Sequence, residues 1–140
     1  MAIKKQEFYE GAALHLLVRS GLVESISYKA PFFTCNNRVS VLLKYTTKSR
    51  TPWGFTFTTD EQAALKLRAL ESAVIIGLVC GADGVAAFSL ESFLAITAAS
   101  KGAVHIACFR RHGEHYEVSG PDGVFSRKVA PSNWLRILEK

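Results

Sequence analysis

The residues of this chain best suited to chemistry are cations between positions 25 and 59, a stretch that contains no Asp or Glu. These cations are Lys29, Arg38, Lys44, Lys48 and Arg50. Lysine and arginine neutralise phosphate groups, and an aromatic side chain such as Trp53 can stack on an exposed base for about 1–3 kcal/mol. Without a carboxylate, the stretch favours phosphate binding over metal-dependent chemistry. The residues predicted to contact nucleic acid here are Lys44, Lys48, Arg50 and Trp53.

An ordinary exposed turn explains the same pattern, and both interpretations stay open. Trp53 follows Pro52 and precedes Phe55 and Phe57, and this context favours packing of its ring at the edge of the core. Tyr45, beside Lys44, is a second aromatic side chain at the edge of the basic stretch.

A second basic group lies later in the chain, at Arg110 and Arg111, and it predicts a further nucleic-acid contact. Arg127 and Lys128 follow on a neighbouring segment. Glu114 and Glu117 are close enough in sequence for ordinary surface ion pairing with these cations, which is the favoured interpretation.

Metal and cofactor chemistry has little support in the sequence. His105 and Cys108 are three residues apart in a predicted strand, where such residues point to opposite faces, and His112 and His115 span a glycine turn. The segment 81–84 lacks the Lys-Ser/Thr pair of a phosphate-binding loop. The sequence therefore predicts no bound metal and no cofactor.

The composition predicts a single domain spanning residues 1–140. The net charge is +5, with Lys and Arg in excess over residues 1–58 and 110–140 and acids in excess over 59–109. Three cysteines without a CxxC pair favour a reducing, cytoplasmic setting. No apolar run approaches the ~20 residues that span a bilayer, so no membrane association is expected.

The basic stretch is expected to sit on a β-hairpin. Residues 38–45 predict a strand that ends in the apolar run Val41-Leu42-Leu43, residues 46–52 a basic tip, and residues 53–58 a returning strand with Phe55 and Phe57 on one face.

Helices and further strands surround this hairpin. Apolar spacing predicts a first helix over 4–20, and Thr59 with Gln62 predicts a capping box that starts a second helix. Residues 73–80 predict a central strand, and Ser89 a cap for a helix through about 99. A hairpin over 103–119, an extended segment over 124–129 and a short helix from Ser132 complete an α+β domain, a mixed sheet flanked by helices.

This order, with three local features, resembles the PD-(D/E)XK nuclease-like superfamily and its restriction-endonuclease-like fold. The features are the helix residues 8–13, the segment through Asn36-Asn37 and the strand that ends at Lys44. In that family a helix carrying a Glu precedes a sheet whose second and third strands carry an acid and then an acid-x-Lys.

The resemblance implies roles for individual residues. Glu10 matches the helix glutamate, and Lys44 matches the family's lysine. Leu42 falls where the second carboxylate belongs, and the segment 35–37 falls where the first belongs. The family's reaction uses Mg²⁺ held by carboxylates to activate water and neutralise phosphoryl charge, so this pattern implies weak Mg²⁺ binding.

Three functions follow as hypotheses. The first is a degenerate nuclease-like domain that binds DNA or RNA without cleaving it. The second is a protein-interaction or self-assembly module, in which strand edges near Pro31 or Val124 pair with a partner or a second copy. The third is a metal-dependent nuclease with catalytic Glu10 and Lys44 and a rearranged second acid such as Glu24.

Overall fold

The computed structural model describes residues 1–139 and has an α+β architecture, which confirms the predicted fold class. The elements, in chain order, are α1 (Lys5–Val18), β1 (Ile26–Lys29), β2 (Phe32–Cys35), β3 (Val39–Thr46), β4 (Trp53–Phe57), α2 (Thr59–Arg68), β5 (Ala73–Cys80), β6 (Gly84–Ser89), α3 (Leu90–Ala95), β7 (Val104–Phe109), β8 (Glu117–Gly120), β9 (Gly123–Val124) and a 3₁₀ helix (Pro131–Arg136).

The first sheet is mixed and has the strand order β1-β2-β3-β5-β6. Strands β3 and β5 run parallel from Val39 opposite Ala73 to Thr46 opposite Cys80, because the chain returns through α2 between them. The other neighbours in this sheet are antiparallel. Both central strands are buried along most of their length, as their continuous apolar runs predict.

The second sheet is antiparallel, with the order β4-β7-β8-β9, and it corrects the predicted hairpin. Strand β4 does not pair with β3, but pairs with β7 from Trp53 opposite Cys108 to Phe57 opposite Val104. Strand β5 occupies one edge of β3 along its whole length, β2 occupies the other edge from Val39 to Leu42, and β4 lies in the other sheet. The prediction of a basic hairpin is therefore wrong, and residues 47–52 instead connect two sheets.

Two apolar clusters lie on the two faces of the first sheet. On one face, Leu42 and Ile76 belong to the cluster that includes Phe55 of the second sheet and Leu65 of α2. On the other face, Val41 and Leu43 belong to the cluster that includes residues of α1 and the 3₁₀ helix. Successive side chains of β3 therefore serve opposite layers, in keeping with the alternation of a strand.

The helix starts follow from their capping residues. Thr58, not Thr59, caps α2: its Oγ1 accepts from the Glu61 N–H at 3.1 Å, while Glu61 Oε1 accepts from the Thr58 N–H at 3.0 Å. The predicted Thr59–Gln62 box is thus displaced by one residue. Ser89 caps α3 as predicted, although α3 ends at Ala95. Within residues 1–139, no helix is both long and apolar enough to cross a membrane.

Candidate functional site

Strand β3 extends past the end of its neighbour β2, and this overhang forms the base of a cleft. The pairing of β2 with β3 runs from Val39 to Leu42, where it reaches Phe32 at the start of β2. Residues 43–46 continue beside β5 and have no strand on the β2 side in the described part of the chain. Side chains from elements above and below the sheet can therefore reach the same edge of β3.

The cleft at this edge has a volume of about 290 Å³ and brings together three of the residues that could do chemistry. Glu10 enters from α1, Lys44 from β3 and Glu61 from α2. The remaining lining residues are Gln6, Tyr28, Pro31, Leu42, Leu43 and Tyr45. We call this set the β3 cleft.

Lys44 is held inside the protein by an ion pair. Its Nζ lies 2.7 Å from Glu61 Oε2, with the Lys44 side chain 21% exposed, and 5.2 Å from the centre of the Phe57 ring. Burial raises the pKa of Glu61, but the hydrogen bonds and charge of Lys44 and the bonds to Thr58 outweigh burial, so the Glu61 pKa falls below its ordinary value. Lys44 is therefore neutralised by Glu61, and its predicted contact with a phosphate would require this ion pair to break.

Glu10 is almost fully buried, and its carboxylate has a different environment. Its Oε2 accepts a hydrogen bond from Gln6 Nε2 at 2.9 Å. Burial is the largest influence on this carboxyl and raises its pKa above the ordinary value, although the Gln6 bond acts in the opposite direction. The neighbouring Tyr9 stacks on Tyr45, with ring centres 5.4 Å apart, and this contact fixes α1 against the end of β3.

The donor set of the β3 cleft fits Mg²⁺ poorly. Both oxygens of Glu61 are engaged, one by Thr58 and one by Lys44, and one oxygen of Glu10 is engaged by Gln6. A divalent ion would have to displace Lys44 to gain a second carboxylate ligand. Within residues 1–139, no three His, Cys, Asp or Glu side chains are placed to share a metal ion.

The assignment of Asn36 and Asn37 to the place of a family carboxylate is wrong. Both residues have φ of 54° in the turn between β2 and β3, at the opposite end of β3 from Lys44. Asn36 Oδ1 accepts from the Glu24 N–H at 2.7 Å, so Glu24 also lies at that far end and cannot join the cleft. The β2 residue opposite Leu42 is Phe32, and both are buried.

Two basic segments meet at the end of the first sheet where β3 and β5 finish. The Arg110 N–H donates to Thr51 Oγ1 at 3.0 Å, which fixes the end of β7 beside the loop 47–52. Lys48, Arg50 and Arg111 are exposed, and no ion pair within the described residues involves them. We call these three cations and Arg110 the basic end.

Arg110 is the most constrained member of the basic end. Its Nη1 donates to Asp83 Oδ2 at 2.8 Å, its Nε donates to the carbonyl of Glu114, and its guanidinium lies 5.2 Å from the centre of the Tyr116 ring. The ion pair with Asp83 satisfies Arg110 locally, so Lys48, Arg50 and Arg111 carry the available positive charge.

Trp53 cannot stack on a base in this structure. Its side chain is 3% exposed, and its Nε1 donates to the carbonyl of Lys48 at 3.0 Å. Trp53 therefore packs at the edge of the core, which is the other interpretation of its position in the sequence. The indole instead anchors the loop that carries Lys48.

Arg38, another cation of the acid-free stretch, lies at the far end of β3 and donates to the carbonyl of Leu138. The five cations therefore do not form one surface.

Comparisons with protein-family models, with curated proteins and with solved structures returned no match for this chain. The functional argument therefore depends on the geometry of the β3 cleft and the basic end.

Of the three charged residues that line the cleft, Glu61 is the one that the sequence did not predict. The predicted capping box begins at Thr59, one residue after the true cap, so it pairs Thr59 with Gln62 and leaves Glu61 without a role. Its signal was the spacing Thr58-x-x-Glu61, which fits the capping pattern as well as Thr59-x-x-Gln62 does.

Proposed function

We propose that this chain is a nuclease-like domain that binds the backbone of DNA or RNA at the basic end without cleaving it. The observation that carries the proposal is the hydrogen bond from Arg110 to Thr51, because it joins two basic segments that are distant in sequence. Exposed cations gathered at one place neutralise phosphates and release their counterions. Cations that were scattered over the surface and neutralised by ion pairs would not form such a phosphate-binding surface.

The nuclease-like part of the proposal is supported by the meeting of Glu10 and Lys44 in the β3 cleft. A helix glutamate and a strand lysine are the two family residues that this chain retains. The absence of cleavage is supported by Phe32 and Leu42, which are apolar and buried beside the overhang, and by the poor fit of the cleft to Mg²⁺. A cytoplasmic location remains part of the proposal.

Salt-dependent binding tests the proposed function. Each phosphate neutralised contributes about −0.9 to the slope of log K against log salt on duplex DNA, so the three exposed cations predict a slope of about −2.7. Lys48→Ala/Arg50→Ala should reduce the slope to about −0.9. The measurement is fluorescence anisotropy with labelled DNA and RNA over a salt series.

Lys101→Ala is the matched control, because Lys101 is exposed and lies before β7, at the opposite end from Arg110. It should leave the slope unchanged. Binding that does not depend on salt, or an equal loss in the control and the double variant, would refute the proposal.

A separate plasmid assay with Mg²⁺ or Mn²⁺ tests the non-cleaving part. Cleavage that disappears in Glu10→Ala and in Lys44→Ala would overturn it and leave the binding surface in place.

A further inference from the structure

We propose that the β3 cleft receives a single unpaired base, so that the chain prefers single-stranded or frayed nucleic acid to an intact duplex. This inference rests on the proposed function and names its substrate class. Four properties of the cleft support it: its size, its exposed aromatic ring, its polar atoms and its lack of net positive charge.

The size of the cleft restricts what can enter it. A volume of about 290 Å³ is at the low end of the range for small-molecule pockets and suits one base rather than a helix. A base inside a duplex reaches such a pocket only by leaving the stack, which costs a few kcal/mol, whereas an unpaired base avoids that cost.

Tyr28 supplies an exposed ring at the cleft. Its side chain is 53% exposed, and its ring is held against Phe33 across the β1–β2 pair, with ring centres 4.5 Å apart. Tyr45, the other aromatic lining residue, is stacked on Tyr9. Tyr28 is therefore the ring available for stacking, and stacking on an aromatic side chain tolerates any base.

Polar atoms beside this ring match the edge of a base. The Gln6 amide donates to Glu10 Oε2, which leaves Gln6 Oε1 and Glu10 Oε1 with no hydrogen-bond partner among the described residues. These oxygens can accept from the exocyclic amino groups of a base.

The charge of the cleft argues against a phosphate inside it. Lys44 and Glu61 neutralise each other at 2.7 Å, so the cleft offers little net positive charge. The loop that bears Lys48 and Arg50 begins directly after the overhang at Thr46. A nucleic-acid strand whose phosphates contact the basic end can thus direct one base toward Tyr28.

The test compares a single-stranded oligonucleotide with a blunt duplex of the same length, using wild type, Tyr28→Ala and Tyr28→Phe. We expect wild type to bind the single strand at least about tenfold more tightly, since unpairing costs a few kcal/mol and 1.4 kcal/mol corresponds to tenfold. Tyr28→Ala should weaken single-strand binding about tenfold and leave duplex binding unchanged. Tyr28→Phe keeps the ring and should retain the preference.

Phe8→Ala is the matched control, because Phe8 is 61% exposed on α1 and does not line the cleft. It should bind both probes as wild type does. If wild type binds neither probe, the proposed function fails and the inference fails with it. If wild type binds with the expected salt dependence but prefers duplex, or if Tyr28→Ala matches wild type on the single strand, the inference alone is refuted.

Discussion

Removal of the Asp83 carboxylate should destabilise the folded protein and release the Arg110 guanidinium from its ion pair. Asp83 lies in the turn between β5 and β6, and its Oδ2 accepts two hydrogen bonds, from Arg110 Nη1 at 2.8 Å and from the Tyr116 hydroxyl at 2.6 Å. Tyr116 is fully buried, and burial together with the Asp83 bond raises its pKa above the ordinary value. The hydroxyl thus depends on Asp83 for its partner.

The expected magnitude follows from these contacts. In Asp83→Ala the buried Tyr116 hydroxyl loses its acceptor, which costs about 1–3 kcal/mol of unfolding free energy. The Arg110–Asp83 pair is 22% and 33% exposed, so solvent screening limits its own contribution to about 0.2–1 kcal/mol. We expect a total loss of about 1–4 kcal/mol.

A double-mutant cycle separates the two contributions. Tyr116→Phe removes the hydroxyl and should cost about 0.5–1.5 kcal/mol. The double variant should lose about 1 kcal/mol less than the sum of the single variants, because no buried hydroxyl is left without a partner. The assay is urea unfolding of all four proteins, with Glu117→Ala as the control for loss of an exposed carboxylate outside any ion pair within residues 1–139.

Two results would refute this reasoning. Additive single-variant losses would show that Asp83 and Tyr116 do not act together, and a loss from Glu117→Ala as large as that from Asp83→Ala would show a general charge effect. Asp83→Ala also leaves Arg110 free for phosphate, so its salt slope on duplex DNA should steepen by about 0.9.

Three further predictions concern the cleft and the loop beside it. Glu10→Gln should be more stable than wild type at neutral pH, and this difference should shrink below pH 4.5. The raised pKa of Glu10 means that the folded state loses stability as the pH rises above the ordinary value of 4.5, and glutamine does not titrate. Urea unfolding of both proteins at neutral pH and below pH 4.5 measures the difference. Gly81→Ala should lose about 1–3 kcal/mol in urea unfolding, since φ is +56° and the added Cβ would clash with the Lys48 carbonyl oxygen; wild-type stability would contradict this. Thr58→Ala should lose about 1 kcal/mol by removing the cap of α2, and Thr58→Ser, which keeps the hydroxyl, should lose less.

Periodic and local features were predictable from the sequence. The apolar spacing of α1, the continuous apolar run of β5 and the Ser89 cap each encode an element through neighbouring residues, and the structure has all three. Such features depend on interactions between residues that are close together in the sequence.

The partners of strands were not predictable in the same way. Strand β4 carries alternating buried and exposed residues that suit any half-buried strand, and nothing local specifies β7 rather than β3 as its neighbour. The Asn36-Asn37 turn was not predictable from the sequence either. Two amides suggested a metal site that had lost its acids, whereas the structure shows a turn with positive φ, a conformation that asparagine adopts more readily than most residues. The convergence of Glu10, Lys44 and Glu61 depends on tertiary packing, so only Glu10 and Lys44 were predicted from sequence.

The position of β4 in the chain has a consequence for folding. The connection that leads from β3 to its parallel neighbour β5 contains β4, a strand of the other sheet. Closing the β3–β5 pair therefore also confines β4, because both of its ends are tied to those strands, and opening of one sheet strains the other. Amide hydrogens of β4 and β5 should consequently exchange with solvent in one cooperative step, at similar opening free energies, rather than sheet by sheet.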